Sequence, residues 1–158
     1  MAVTESTAEV RFKRQEARDK MQEARNKTTY KKGEQTVIKS YKDLSVYQLS
    51  YSLAMEVFWL TKKFPKEERY SLTDQLLRAS RSATANIVEG WAKRHYENVF
   101  KRHLLDSIGS CDETKVWLDL AFDCEYITAN EHKGLVDRYE ELGKMLHGLF
   151  ENWRTRKK

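Results

Sequence analysis

Residues 44–65 read LSVYQLSYSLAMEVFWLTKKFP. Val46, Leu49, Leu53, Val57, Leu60 and Phe64 recur at steps of 3, 4, 4, 3 and 4, which is the spacing of one helical face. Phe64-Pro65 closes the segment, because the residue before a proline is driven out of the α region. Three further periods follow. Leu72, Leu76, Ala79, Ala83 and Ile87 form a seam of small residues ending at Gly90, so the second helix is predicted to approach a neighbour closely. The third helix is predicted from about Tyr96 to Ile127 through Phe100, Leu104, Ile108, Cys111, Leu118 and Phe122. The fourth begins at a cap, Thr128 or Asn130, and continues through Leu135, Tyr139, Leu142, Leu146, Leu149 and Trp153. No strand-length alternation competes, and the short connections predict antiparallel neighbours in an all-α, up-down four-helix bundle.

Composition agrees with that class. The chain has 158 residues, enough for one core, and its 6 Gly and 1 Pro are too few for a sandwich, a barrel or a phosphate-cradling loop. The longest apolar run, Val57 to Leu60, is far short of the roughly 20 residues that span a bilayer. Met1 to Val10 lacks the apolar stretch of a signal peptide, so a cytoplasmic location without membrane contact is expected. Charge is unevenly placed: the net charge is +5, and residues 1–40 hold 10 Lys/Arg against 6 Asp/Glu. Two domains of unlike character are therefore expected, a basic N-terminal helical or disordered arm with its linker at 1–40 and the bundle at 41–158. The thin apolar stripe of the arm (Val10, Ala17, Met21, Ala24) buries too little to offset about 1–2 kcal/mol of ordering entropy per residue, so the arm should order only against a partner.

Catalytic chemistry finds no constellation. Cys111 and Cys124 lie in one predicted helix, about 20 Å apart, with no CxxC or nearby His, and read as reduced, half-buried thiols. His95, His103, His132 and His147 form no metal-ligand pattern, and no Glu is followed by His three residues later, as a di-iron bundle requires. No enzyme activity, metal or cofactor is expected.

Two polar clusters remain. Arg78, Arg81, Asn86 and Glu89 share one side of the small-residue helix; beside Gly90 they read as groups paired with another helix or subunit, or, for the two arginines, as phosphate contacts. Lys93, Arg94, Lys101 and Arg102 interleave with Trp91, His95 and Tyr96, a mixture that suits phosphate contact with base stacking; the alternative is an ordinary solvated face. The acidic run Asp106, Asp112, Glu113, Asp119, Asp123 and Glu125 requires any nucleic-acid surface to be confined to one side. Trp59, Trp91, Trp117 and Tyr51 fall off the core stripes, which predicts a second apolar face on the third helix around Trp117, used in a cyclic contact with a neighbouring subunit.

Specific residues resemble a known family. Tyr41-Lys42-Asp43-Leu44-Ser45-Val46-Tyr47-Gln48 is similar to the opening of the bacterial four-helix bundle proteins encoded in intervening sequences of 23S ribosomal RNA genes, and Phe64-Pro65 to Leu76 continues the match. The strongest part is Arg78-Ala79-Ser80-Arg81-Ser82-Ala83-Thr84-Ala85-Asn86-Ile87-Val88-Glu89-Gly90. The clearest departure is Thr84, where many members carry Pro. The resemblance covers about residues 41–153 and implies a ring-forming bundle, commonly a homopentamer, without established enzymatic activity. The bundle also resembles the accessory variability determinant of diversity-generating retroelements, which implies binding of nucleic acid, RNA or DNA, and of a reverse transcriptase. The expected function is thus a non-enzymatic homo-oligomeric adaptor; the alternative is a structural or protein-interaction ring without nucleic-acid binding.

Overall fold

The computed structural model describes residues 38–155, and the expected arm, apart from its last three residues, lies outside the described residues. The first turn is fixed by its own side chains. Ser40 Oγ accepts from Lys42 N–H at 3.2 Å, while Asp43 Oδ2 accepts from Ser40 N–H at 2.9 Å and Lys39 N–H at 3.0 Å, a capping box around the 3-10 turn Tyr41–Asp43. Four helices follow, α1 (Ser45–Thr61), α2 (Leu72–Ala92), α3 (Glu97–Asp123) and α4 (Ala129–Asn152), with a second 3-10 turn at Lys66–Glu68 and no strand among the described residues. They pack as an all-α four-helix bundle in which each helix touches the next and α1 touches α4.

The helix ends show what stops each one. α1 ends at Thr61, three residues before the end of its apolar period; Lys63 and Phe64 bond back to Leu60 and Thr61 in tighter i to i+3 turns, because Pro65 bars Phe64 from the helix. Phe64 still reaches the core. α2 runs through Thr84 without interruption and past Gly90 to Ala92. α3 starts one residue later and ends four residues earlier than its period: Glu125 adopts a left-handed φ of 60°, and Tyr126 N–H bonds to the Ala121 carbonyl at 2.9 Å, the pairing that closes a helix C-terminus. Thr128 is the cap of α4, in a reciprocal box with Glu131.

The predicted periods supply the core, with Leu53, Val57, Leu76, Ile87, Leu104, Leu118, Leu142 and Leu146 buried. Small residues bring α2 against α3. Ser107 Oγ donates across the seam to the Ala83 carbonyl at 2.8 Å and Ser110 Oγ to Ser82 Oγ at 2.9 Å, so residue numbers rise on α2 as they fall on α3. Buried hydroxyls are tolerated here because each finds an acceptor; Ser50, Ser80 and Thr114 use carbonyls of their own helices.

Tyr139 is different. Its ring is buried, its hydroxyl has no partner among the described residues, and burial pushes its phenol well above the ordinary range, with Cys111 the next contributor. Removing an unpaired buried hydroxyl while keeping the ring should not destabilise. Tyr139→Phe is expected to match or exceed the native stability by about 1–2 kcal/mol in urea unfolding; a loss of that size would show that the hydroxyl has a partner.

Two expectations are corrected. Phe122 lies outside the core, stacked on His132 with ring centroids 4.8 Å apart, and Ala121 occupies the buried position instead. Trp91 is buried rather than displayed on the surface: α4 ends over it, placing Trp153 6.1 Å from Trp91 and 4.6 Å from Phe100. Trp59 and Trp117 are half-buried, and Tyr51 is exposed.

Carboxylates tie each connection. Hydrogen bonds from Ser71 hydroxyl, Leu72 N–H and Tyr126 hydroxyl hold Glu68 below the usual carboxylate value of 4.5. Lys101 and then Thr155 N–H lower Glu97. At Glu131 burial pushes upward, and the bonds from Lys63 and Thr128 outweigh it. A carboxyl lowered by folding contributes stability above its unfolded pKa and loses it as pH falls through the folded value. Melting temperature should therefore be flat from about pH 7 to 5 and fall below about 4.5; a melt insensitive to pH down to 3 would contradict these assignments.

Candidate nucleic-acid interface

The helix-two to helix-three region is built from the end of α2. Lys93 N–H and Arg94 N–H bond back to Gly90 and Trp91 carbonyls, and Tyr96 N–H to Lys93, so residues 93–96 form a tight corner before α3. The cations of this corner are individually held. Lys93 Nζ lies 3.1 Å from His103 Nε2 and 3.9 Å from Glu89 Oε2. Arg94 stacks its guanidinium 4.3 Å from the Trp91 ring centroid and donates to the Trp91 carbonyl at 3.0 Å. Lys101 pairs with Glu97 at 3.0 Å and sits over Phe150, mostly covered. Arg102 is exposed with no ion pair among the described residues, and Tyr96 is 71% exposed.

Arg78 and Arg81 belong elsewhere. Twelve residues of α2 separate Arg81 from Lys93, about 18 Å of helix. Arg78 is largely exposed, 3.9 Å from Asp74 on its own helix, and Arg81 edges a groove between α1 and α2. Within the chain these groups do not meet one another: Glu89 is exposed, facing Lys93 and, at 4.0 Å, His103. Asn86 does join helices, donating to the Ser82 carbonyl at 3.0 Å while its Oδ1 lies 3.4 Å from His103 Nδ1. Gly90 is buried where α2 meets α3, and Trp117 packs on the core and donates to Glu113 at 3.2 Å.

His103 as the hub of Asn86, Glu89 and Lys93 went unread in the sequence, since its partners stand 10 to 17 residues away. The α1–α2 groove, walled by Tyr41, Tyr47 and Tyr51, was also missed; the i, i+4 spacing of Tyr47 and Tyr51 off the core stripe was the available signal. The two thiols are not alike. Cys124 is exposed, whereas Cys111 is buried and burial, helped by Asp112, pushes its thiol up to about 12, which keeps it protonated and inert. No group of three His, Cys, Asp or Glu among the described residues can hold a metal ion, and no described helix is long and apolar enough to cross a membrane.

The profile of the 23S rRNA-intervening sequence protein family matches residues 42–148. The chain belongs to that family. A solved structure from Bacteroides thetaiotaomicron, described as a protein with unknown function from the S23 ribosomal protein family, is 26% identical with a TM-score of 0.62; the match covers 68% of this chain and 96% of that one. No curated protein matches. The family match spans α1 to most of α4 and includes the α2–α3 corner.

Proposed function

We propose that this 23S rRNA-intervening sequence family member is a non-enzymatic, homo-oligomeric adaptor that binds RNA or DNA at the α2–α3 corner. In a diversity-generating retroelement setting it would also bind a reverse transcriptase. The observation that carries the reading is Tyr96, a large exposed aromatic that follows Lys93, Arg94 and His95 in the chain and precedes exposed Arg102 by six residues. An exposed ring offers a stacking face to any base, and the flanking cations meet phosphates. Tyr96 stands at the N-cap of α3, where its side chain makes no cap bond and is left free to meet a base. In a ring the corner is repeated around the axis, and modest affinities combine. Arg78 and Arg81, far along α2, are a separate patch. The second reading, a ring that binds only protein, is favoured by the internal pairing of Lys93 and Lys101.

The test is binding of the full chain to single-stranded and duplex RNA and DNA at several salt concentrations. Affinity should fall steeply with salt, Tyr96→Ala should weaken single-strand binding roughly 5- to 150-fold, and Lys93→Ala/Arg94→Ala/Arg102→Ala should flatten the salt slope by about 2 to 3. A chain beginning at Ser40 should bind more weakly while keeping its assembly and helicity. Binding that is absent, or indifferent to salt, leaves the protein-only ring.

A further inference from the structure

Two apolar surfaces of the bundle have no partner among the described residues. The first is the concave groove between α1 and α2, about 520 Å³, lined by Tyr47, Tyr51, Met55, Phe58, Thr84 and Ala85 among others. The charged side chain that lines it is a cation, Arg81. Arg81 stands on its wall without an ion pair among the described residues, Lys62 lies over the Phe58 ring at 4.5 Å, and exposed Arg78 is one turn from Arg81. Thr84 Oγ1 is shielded there and has no partner among the described residues.

The second surface is convex. Leu105, Gly109, Val116 and Leu120, spaced 4, 7 and 4, form one stripe of α3 on the side opposite buried Ser107, Thr114 and Leu118. Leu105, Val116 and Leu120 are 47%, 53% and 42% exposed, and nothing lies within 4 Å of the position a Cβ would take on Gly109. The flanks of the stripe carry Asp106, Asp112, Asp119 and Asp123, all exposed, with Asp112 paired to Lys115 and Asp119 to His132, against one exposed cation, Arg102, at its N-terminal end.

We infer that the α3 stripe of one copy seats in the α1–α2 groove of the next. This rests on the homo-oligomer of the proposed function and assigns its two contacting surfaces. Like surfaces do not pair well here: stripe against stripe sets acids facing acids, and groove against groove sets cations facing cations, whereas stripe in groove joins opposite charges around an apolar centre. The stripe runs about 22 Å from Leu105 to Leu120 and the groove about 16 Å from Tyr47 to Phe58, comparable lengths at 1.5 Å per residue. Because the surfaces differ, the contact is head-to-tail, the type that closes into rings without a two-fold axis. An apolar helix face laid in an apolar groove is also a common recognition mode.

Mixing two disabled full-length chains tests this. Val116→Glu/Leu120→Glu puts charges where the stripe must be apolar, and Arg81→Glu/Ala85→Glu puts acids and bulk in the groove, so the two disabled surfaces repel each other; all four positions are exposed. By native mass spectrometry or light scattering, the native chain should be a closed oligomer, each variant alone a helical monomer, and the 1:1 mixture a dimer that grows no further, joined by its one intact stripe and one intact groove. A variant that still assembles alone, or a mixture that stays monomeric, overturns the assignment and leaves the homo-oligomer itself standing. A native chain that is monomeric at tens of micromolar overturns both. If a charged variant loses helicity, Val116→Gln and Ala85→Gln carry the same test: each should raise the dissociation constant of the assembly at least tenfold, and an unchanged constant overturns the assignment.

Discussion

Replacing Phe100 with Ala should destabilise the bundle by about 3–5 kcal/mol, a large part of the stability a domain of this size has. The ring is fully buried, lies edge-on to Trp153 at 4.6 Å, and fills the space beside Gly90 at the end where α2, α3 and the tail of α4 converge. Truncation removes that contact surface and leaves a cavity that the neighbouring backbones cannot close. Trp153 makes the effect visible, because its indole nitrogen is buried without a partner among the described residues and would gain water as the seam opens. The measurement is the urea midpoint at fixed protein concentration, with indole fluorescence shifting red. A cost under about 1.5 kcal/mol would mean that this end is not packed as described.

Gly90→Ala is expected to act in the same place from the opposite direction. In a free helix the change should help by about 1 kcal/mol. Here the added Cβ would stand 2.8 Å from His103 Cβ and 3.0 Å from Phe100 Cδ2. His103 Cβ is bonded directly to the α3 backbone, so it cannot swing aside, and the two helices must separate. Overpacking of this kind costs about 1–3 kcal/mol, and net destabilisation follows. His103 would also be displaced from Asn86 and Lys93. Gly134→Ala is the control, since that glycine is exposed on α4 with nothing within 4 Å of the new Cβ, and it should raise the melting temperature by a few degrees. If both substitutions stabilise, the close approach of α2 and α3 at Gly90 is wrong.

Much of the candidate site was readable before any tertiary contact was known. The cations and aromatics at 93–96 are neighbours in the chain, and a turn following Gly90 holds them together whatever the rest of the bundle does. Their burial was not readable. Lys101 and Arg102 are adjacent, yet one is covered by Glu97 and Phe150 and the other is open, because α4 passes over one side of α3 only.

The sequence by itself determined the four helices, the inward faces of Leu53, Leu76, Ile87, Leu118 and Leu142 and the family, and narrowed the cap of α4 to Thr128 or Asn130. Each depends on hydrogen bonds or periodicities within three or four residues, so each is written locally. Tertiary structure alone decided that Trp91 is inside and Phe122 outside, that His103 gathers Asn86 and Lys93, and that Arg81 faces a tyrosine groove instead of the α2–α3 corner. A helix pattern says which side of a helix is apolar, whereas the crossing of one helix over another sets how far along that side the cover extends and where two helices leave a groove between them.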